Sequence, residues 1–348
     1  MTLLTPSGDT TGATDLARIN ALSPNDEMVV GDYYINGSIS DGVKVIRGIE
    51  LNHWTTGGWD SKLTCIHAVA GGTYTDNAML VQRGIGALYR GFTLDATDVP
   101  TLNCAEVGGS TGVTFEQVAF TGGLVGLRAT SRWTSENTLE LVVRGGSAYN
   151  TGSWGVNIDQ MSDSSIIDAF DCAFTGRHVD GSGGIRIERA WACRVSDISV
   201  QDLYGPSVDT LSNLRAAAKS KTLAAATLIG AGPALLIEGT DCLRIINNKF
   251  DQTYGGLIDL GGSVNVAILE DIVVAFNQSF TPDTGVALRI GGATNHVRSR
   301  DNTWAGTSGY KADPRQLGPL IGKFDDNFIG DNLYADADTQ AIMAGLVS

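Results

Sequence analysis

A hydrophobic residue, usually aromatic, closes a short apolar segment about every 24–30 residues along this chain. The marks are Phe92, Phe120, Phe174, Phe250, Phe280 and Trp304, with Ala148 and Val200 in two intermediate places. Their surroundings rhyme: GFTLD, QVAFTGG, DCAFTG, NNKFDQTYG, FNQSF and DNTWAG. Self-similarity at this period predicts a solenoid, in which each repeat buries its apolar side only by stacking on its neighbours. The step from Val200 to Phe250 is about two periods, so one turn there is either degenerate near Ala225 or carries an insertion. A solenoid offers long, regular side faces rather than one deep pocket, and this narrows the functions open to it.

The segments between the marks have strand character. MLVQRG, CAEVGG, GLRATS, VNIDQM, IRIERA, LLIEGT, LIDLGG and ALRIGG align as one recurrent strand. Its charged or polar column reads Gln82, Glu106, Arg128, Asp159, Glu188, Glu238, Asp259 and Arg289, mostly preceded by an apolar residue such as Ile158, Ile187 or Ile237. Alternation with period two sends the apolar set inward and the charged set outward. Two strand families per period, joined by short turns, predict an all-β fold: a right-handed parallel β-helix. Polar residues stand three places before most of the marks: Gln117, Asp171, Asp197, Asn247, Asn277 and Asp301. Asn and Asp tolerate left-handed backbone and bond their own turn, so this column reads as a repeated structural corner.

Asp and Glu outnumber Lys and Arg by 38 to 24, a formal charge of −14, which argues against a nucleic-acid partner. A polysaccharide, even an anionic one, stays open through local Arg residues. The 44 glycines against 8 prolines suit tight, partly left-handed turns. Cys65, Cys104, Cys172, Cys193 and Cys242 show no CxxC pairing and sit mostly in strand-like contexts, so they read as small buried hydrophobes. No His/Cys/Glu spacing predicts a metal site, Gly84-Ile85-Gly86 lacks the rest of a nucleotide fingerprint, and no cofactor is expected. The N-terminal MTLLTPSGDTTGATD has neither a basic nor an apolar run, so a chain made without a signal peptide, in a cytoplasm, is expected. No stretch approaches the ~20 apolar residues of a membrane span.

Three parts are expected. Residues 1–42 form a cap: Thr14 as N-cap, Leu16, Ile19 and Leu22 on one helical face, then entry strands around Gly31-Asp32. Residues 43–304 form the β-helix, interrupted at about 206–232 by an Ala-rich segment, and 305–348 form a distal cap or oligomer contact.

Gly8, Asp9, Asp15, Ile19, Ala21 and Leu22, followed by Gly31-Asp32-Tyr33-Tyr34-Ile35 and later by Gly91-Phe92-Thr93-Leu94-Asp95, resemble the entry signature of the pectin-lyase-like superfamily, particularly its branch in bacteriophage tailspikes and tail proteins. With the repeat, the resemblance covers about residues 8–304. It implies a virion tail protein that attaches to bacterial surface polysaccharide, works as a homotrimer and contacts other tail proteins. It leaves activity open, since this fold hosts lyases, hydrolases, fructotransferases and pure adhesins. The polygalacturonase set of Asn-x-Asp, Asp-Asp and Gly-His-Gly motifs does not occur together, and the clustered calcium-binding Asp residues of pectate lyases are missing.

Chemistry is best sought at Asp159 and Glu188, which fall in the outward column of what read as consecutive turns. Strands ~4.8 Å apart would bring the two carboxyls near the ~5–5.5 Å of a retaining glycosidase pair. Asn157 and Arg186 lie two residues earlier on the same face, and Trp154, Trp191 and Tyr149 fall nearby as stacking surfaces for sugar rings. The alternative is a solvated acidic ladder balanced by Arg128 and Arg186. His178 with Asp180 reads as an acid/base element beside this patch or as a surface turn. Two functions compete: a tail protein that docks on surface glycan, with or without cutting it, and a polysaccharide-degrading hydrolase or lyase outside any virion.

Overall fold

The computed structural model describes residues 2–23, 26–40, 45–47, 64–130, 139–159, 165–188, 192–203, 232–238, 243–253, 258–261, 272–275, 278–280, 288–290, 297–300, 303–305, 322–325 and 328–329. Within them the chain is a parallel β-helix with one short helix near its N-terminus, and 25 strands join in one hydrogen-bonded system. Each rung contributes to three faces. The first face holds Leu127–Thr130, Val156–Asp159, Ile185–Glu188, Leu235–Glu238 and Ile258–Gly261, paired in that order. The second holds Ser165–Asp168, Arg194–Ser196, Arg244–Ile246 and Ile272–Ala275. The third holds Gly31–Gly37, Thr64–Thr73, Phe92–Ala96, Asp171–Ala173, Ser199–Leu203 and Lys249–Thr253. The 20-residue strand Asn103–Gly122 bends through all three, aided by positive φ at Gly109 and Gly112.

Register decides which side chains make the interior. On the third face, Tyr33, Ile66, Leu94, Phe120, Ala148, Cys172, Val200 and Phe250 stack one above another, all within 1% of complete burial. Phe120, Ala148, Val200 and Phe250 therefore occupy the column expected of them, but three other marks do not. Cys172 rather than Phe174 fills its rung, and Ser279 rather than Phe280 pairs with Phe250. Phe92 stands two residues before Leu94, which holds the slot. On the second face Tyr89, Phe115, Val143, Ile167, Val195 and Ile245 form a parallel column, with the Tyr89 and Phe115 rings stacked at 5.0 Å. Burying each such side chain contributes roughly 1.5–3 kcal/mol, which offsets the entropy of ordering the rung.

Two corners repeat in left-handed backbone. Between the second and third faces, Gly91, Gln117, Gly145, Ala169, Asp197 and Asn247 occupy one slot, with φ from 49° to 70°. Gln117, Asp197 and Asn247 fill it as expected, and the Asn247 amide donates to the Asp197 carboxylate of the rung before. Asp171 does not belong to it: Ala169 takes the slot, and Asp171 opens the next strand. After the third face, Gly122, Asn150 and Phe174 share a second slot, with φ of 66°, 58° and 54°. This explains the displaced mark, since Phe174 turns the corner and its buried ring lies under the Arg177 guanidinium, 5.6 Å away. Gly84 and Gly86 also have positive φ, but the Gly84-Ile85-Gly86 segment is not the turn expected: it lies within the continuous strand Ala78–Arg90, which bends there with Ile85 exposed.

The cap helix runs Ala13–Asn20, and its N-cap is Gly12 rather than Thr14. Asp9 does the capping: its carboxylate accepts from the Thr11 and Thr14 amides at 2.9 and 3.1 Å, and the Thr11 and Thr14 hydroxyls first, then these amides, hold it well below the usual carboxylate range. The fully buried Asp15 carboxylate accepts from the amides of Ser7 and Tyr34, tying the helix to the first long strand. Thus the two Asp residues of the entry signature each satisfy backbone donors that the cap would otherwise bury or expose unpaired.

Val200 pairs directly with Phe250, so the two are consecutive rungs and the long step between them is an insertion rather than a degenerate turn. Most of 206–232 lies outside the described residues. Stacked strands extend past residue 304 to Phe328–Ile329. Cys104, Cys172 and Cys193 are buried, as small core hydrophobes should be, whereas Cys65 is only partly buried on an outward position.

Candidate functional site

On the first face the strands alternate cleanly. Val156, Ile158, Ile185, Ile187, Leu235 and Ile237 are buried, so the residues between them face outward. Four of the expected site residues come together there: Asn157 pairs with Arg186 and Asp159 with Glu188 across adjacent rungs. The charged column splits in two, however. Glu106, Arg128, Asn157, Arg186, Leu236, Asp259 and Arg289 share one register, while Thr130, Asp159, Glu188 and Glu238 share another, two residues further along. Gln82 belongs to neither. It pairs with Val107 in an inward column, where it is buried against the Tyr89 hydroxyl.

Arg186 organises the patch. Its Nη2 donates to Glu188 Oε2 at 2.5 Å and to Glu238 Oε2 at 3.0 Å, and its Nε donates to the same Glu238 oxygen at 3.1 Å. One guanidinium thus bridges carboxylates on two rungs, which Lys could not do with the same planar fork. Asp159 stands opposite Glu188 on the preceding rung, at a strand spacing of ~4.8 Å. In the neighbouring register, Asn157 Oδ1 and Arg128 Nε are buried polar atoms without a hydrogen-bond partner among the described residues, and the two residues are cross-strand neighbours. Buried polar atoms normally find a partner; these two are a donor and an acceptor on adjacent rungs, closed off from solvent beneath the patch.

The other expected residues divide. Trp154 is buried in the turn before Val156–Asp159, so its ring is not a stacking surface. Trp191 lies outside the described residues. Tyr149 is exposed at the end of the third face. The His178 amide donates to the Gly152 carbonyl, so the Arg177–Asp180 loop stacks at the corner that leads into the first face. That corner precedes Val156, whereas Asp159 ends the strand, some 10 Å away at ~3.3 Å per residue. His178 and Asp180 therefore flank the patch at its entry and stand apart from the carboxylates. Burial, with Arg177 beside it, pushes the His178 imidazole below its ordinary value, so it is neutral at neutral pH.

A second polar cluster went unread in the sequence. On the third face Thr64, Ile66 and Ala68 are buried, which turns Cys65 and His67 outward. His67 Nδ1 lies 3.0 Å from Asp95 Oδ2, on the rung after, and Nε2 lies 3.2 Å from Asp32 Oδ1, on the rung before. The Asp95 bond, helped by Cys65 and Asp32 and opposed by partial burial, pushes the imidazole up to about 11. The signal available in the sequence was the Cys-x-His spacing on one strand, which puts both side chains on one face. A third ladder runs up the second face as Arg90, Glu116, Arg144 and Asp168, with cross-rung contacts of 3.6 Å (Arg90–Glu116) and 3.4 Å (Arg144–Asp168).

No family model matches this chain, and no curated protein matches it. Solved structures do resemble it. ORF18 of Geobacillus virus E2 is 12% identical with a TM-score of 0.56, over 96% of this chain and 62% of that one. A DFA-IIIase from Arthrobacter chlorophenolicus A6, in complex with GF2, is 11% identical with a TM-score of 0.52, over 99% and 86%. An alginate lyase from Paenibacillus sp. str. FPU-7 is 12% identical with a TM-score of 0.50, over 92% and 96%. The chain thus spans less than two thirds of the viral protein's length. At these identities the likeness is one of fold.

Proposed function

We propose that this chain is a tailspike-like bacteriophage tail protein that binds bacterial surface polysaccharide along its first face. The observation that carries the reading is the outward patch of Arg128, Asn157, Asp159, Arg186, Glu188 and Glu238. Regular strands fix these side chains in register across four rungs, and Arg186 holds the Glu188 and Glu238 carboxylates in place. Rigid strands hold a site more closely than loops do, and an extended flat face suits a polymer better than a small molecule. The entry signature built on Asp9 and Asp15 supports the tail assignment, as does the shared fold with a viral protein. A homotrimer docked on other tail proteins in the virion is part of this reading.

Cleavage of the bound polymer is its finer part. Asp159 and Glu188 would act as the pair of carboxyls flanking a glycosidic bond. Glu188 is held by Arg186, which suits the carboxylate that attacks or stabilises, and the proton-donating role falls to Asp159. The test is to incubate the purified chain with host capsule or wall polysaccharide, measuring affinity by calorimetry and chain length by gel filtration. Arg186→Met is expected to weaken binding about 10-fold or more, the loss of one or two charge-assisted hydrogen bonds. Asp159→Asn and Glu188→Gln should abolish shortening of the polymer while leaving binding nearly intact. Binding unchanged in Arg186→Met would sink the proposed face, and unaltered cleavage in both carboxyl variants would sink the catalytic part. A monomer by light scattering at micromolar concentration would remove the trimer.

A further inference from the structure

We infer that Asp32, Cys65 and His67 form a binding site for a zinc-class divalent cation, with three protein ligands and a fourth position open to solvent. Register builds the site. Asp32 pairs with Cys65 on adjacent rungs of the third face, and His67 pairs with Asp95 on the rung after. One ligand atom from each of the three residues lies within 4.8 Å of the other two. The Asp32 Oδ1 to His67 Nε2 separation is 3.2 Å. Metal–ligand bonds near 2.0 Å at a tetrahedral angle require an N···O edge of roughly 3.3 Å, so this edge is already formed. A thiol, an imidazole and a carboxylate suit zinc and its borderline neighbours, whereas calcium and magnesium take oxygen ligands.

The surroundings of His67 are those of a ligand imidazole. Asp95 Oδ2 engages Nδ1 at 3.0 Å, which directs Nε2 toward Asp32. Asp95 is itself fixed, its Oδ1 accepting from the Thr97 amide at 2.9 Å and from the Thr97 hydroxyl at 2.6 Å. The Tyr34 ring stacks on the imidazole with centroids 5.1 Å apart, setting the ring plane. A carboxylate behind a histidine, anchored in turn, is the outer support that orients metal-binding imidazoles. Cys65 is set apart from Cys104, Cys172 and Cys193 by facing outward; its Sγ lies 3.9 Å from His67 Nδ1, the nitrogen that Asp95 holds, so the thiol must turn toward Nε2 to complete the site. Without metal, His67 bridges two carboxylates. A bound cation displaces the protons of His67 Nε2 and Cys65 Sγ to solvent and links Asp32, Cys65 and His67 by coordination. The site is on a different face from the glycan patch, and its test is independent of that reading.

Zinc titrated by calorimetry into the full chain, after dialysis against a chelator, should show one site per chain. Cobalt in place of zinc should give a thiolate-to-metal charge-transfer band, and Cys65→Ser should lose it while its melting curve and circular dichroism stay those of the parent. Asp32→Asn and His67→Gln should each lower zinc affinity about 10-fold or more. Asp95→Asn should lower it about 10–100-fold without removing a ligand. Absence of zinc binding by the parent chain overturns the inference. So does a cobalt band, or a zinc affinity, that is the same in Cys65→Ser as in the parent.

Discussion

The third-face ladder of Asp32, His67 and Asp95 and the first-face ladder of Glu188, Arg186 and Glu238 meet the same difficulty with different cations. Parallel register sets neighbouring rungs at ~4.8 Å, so carboxylates gathered on adjoining rungs would repel one another unless a cation beside them reaches both. On the first face the cation is Arg186, always charged, with a fork wide enough to reach two rungs. On the third face it is His67, one ring nitrogen to each neighbouring rung, and its charge can be given up. The permanent cation makes a fixed patch, suited to a polymer that must find the same surface every time. The removable one makes a place that a metal ion can enter.

Four measurements would sharpen or break that comparison. The largest effect should come from neither ladder but from the wall behind both. Phe120→Ala should lower unfolding stability by about 3–5 kcal/mol in urea titrations. A loss no greater than that of the ladder variants would mean that the apolar column is not what holds the rungs. Next, Arg186→Met should cost on the order of 2 kcal/mol, because it leaves two partly buried carboxylates facing each other. Adding Glu188→Gln and Glu238→Gln to that variant should recover most of the loss. A triple variant as unstable as the single one would show that packing of the Arg186 stem, not its charge, was measured.

The third measurement separates the two cations by pH. The folded-state value of His67 is raised to about 11 from 6.5, so its stabilising contribution is complete below about 6.5 and is lost as pH rises toward 11. In chelator, the parent's stability advantage over His67→Gln should therefore be greatest near pH 6 and shrink steadily to pH 10. The advantage over Arg186→Met should hold across the same range. An advantage for His67 that grew with pH would reverse the assignment of its charge. The smallest effect belongs to the exposed second-face ladder: Arg144→Met should change stability by about 1 kcal/mol or less, and that change should fade in high salt.

The β-helix was legible in the sequence because period and alternation are local properties, visible from Leu127-Arg128 to Ile237-Glu238 without knowing what pairs with what. Register was not. GFTLD and DCAFTG rhyme, yet Leu94 and Cys172 take the inner slots, and Phe174 turns a corner at φ 54°. A shift of two residues leaves the alternation intact, so composition alone cannot detect it. The outward patch was found because Asn157, Asp159, Arg186 and Glu188 lie on strands whose alignment happens to be right. The His67 cluster was missed because its carboxylates are 35 and 28 residues from the imidazole. Only the stacking of rungs makes them neighbours.

The direct pairing of Val200 with Phe250 has a consequence for how such a chain can change. Leu203 still pairs with Thr253, and the Gly232 amide donates to the Ser182 carbonyl, so the rung closes on both sides of the inserted segment. The number of residues between those two anchor points is a free variable of the architecture. Doubling a flexible connection adds only about 0.6 kcal/mol of closure entropy. Whole segments can be exchanged at that gap, as a tool is exchanged in a fixed handle, and the stack on either side needs no compensating change.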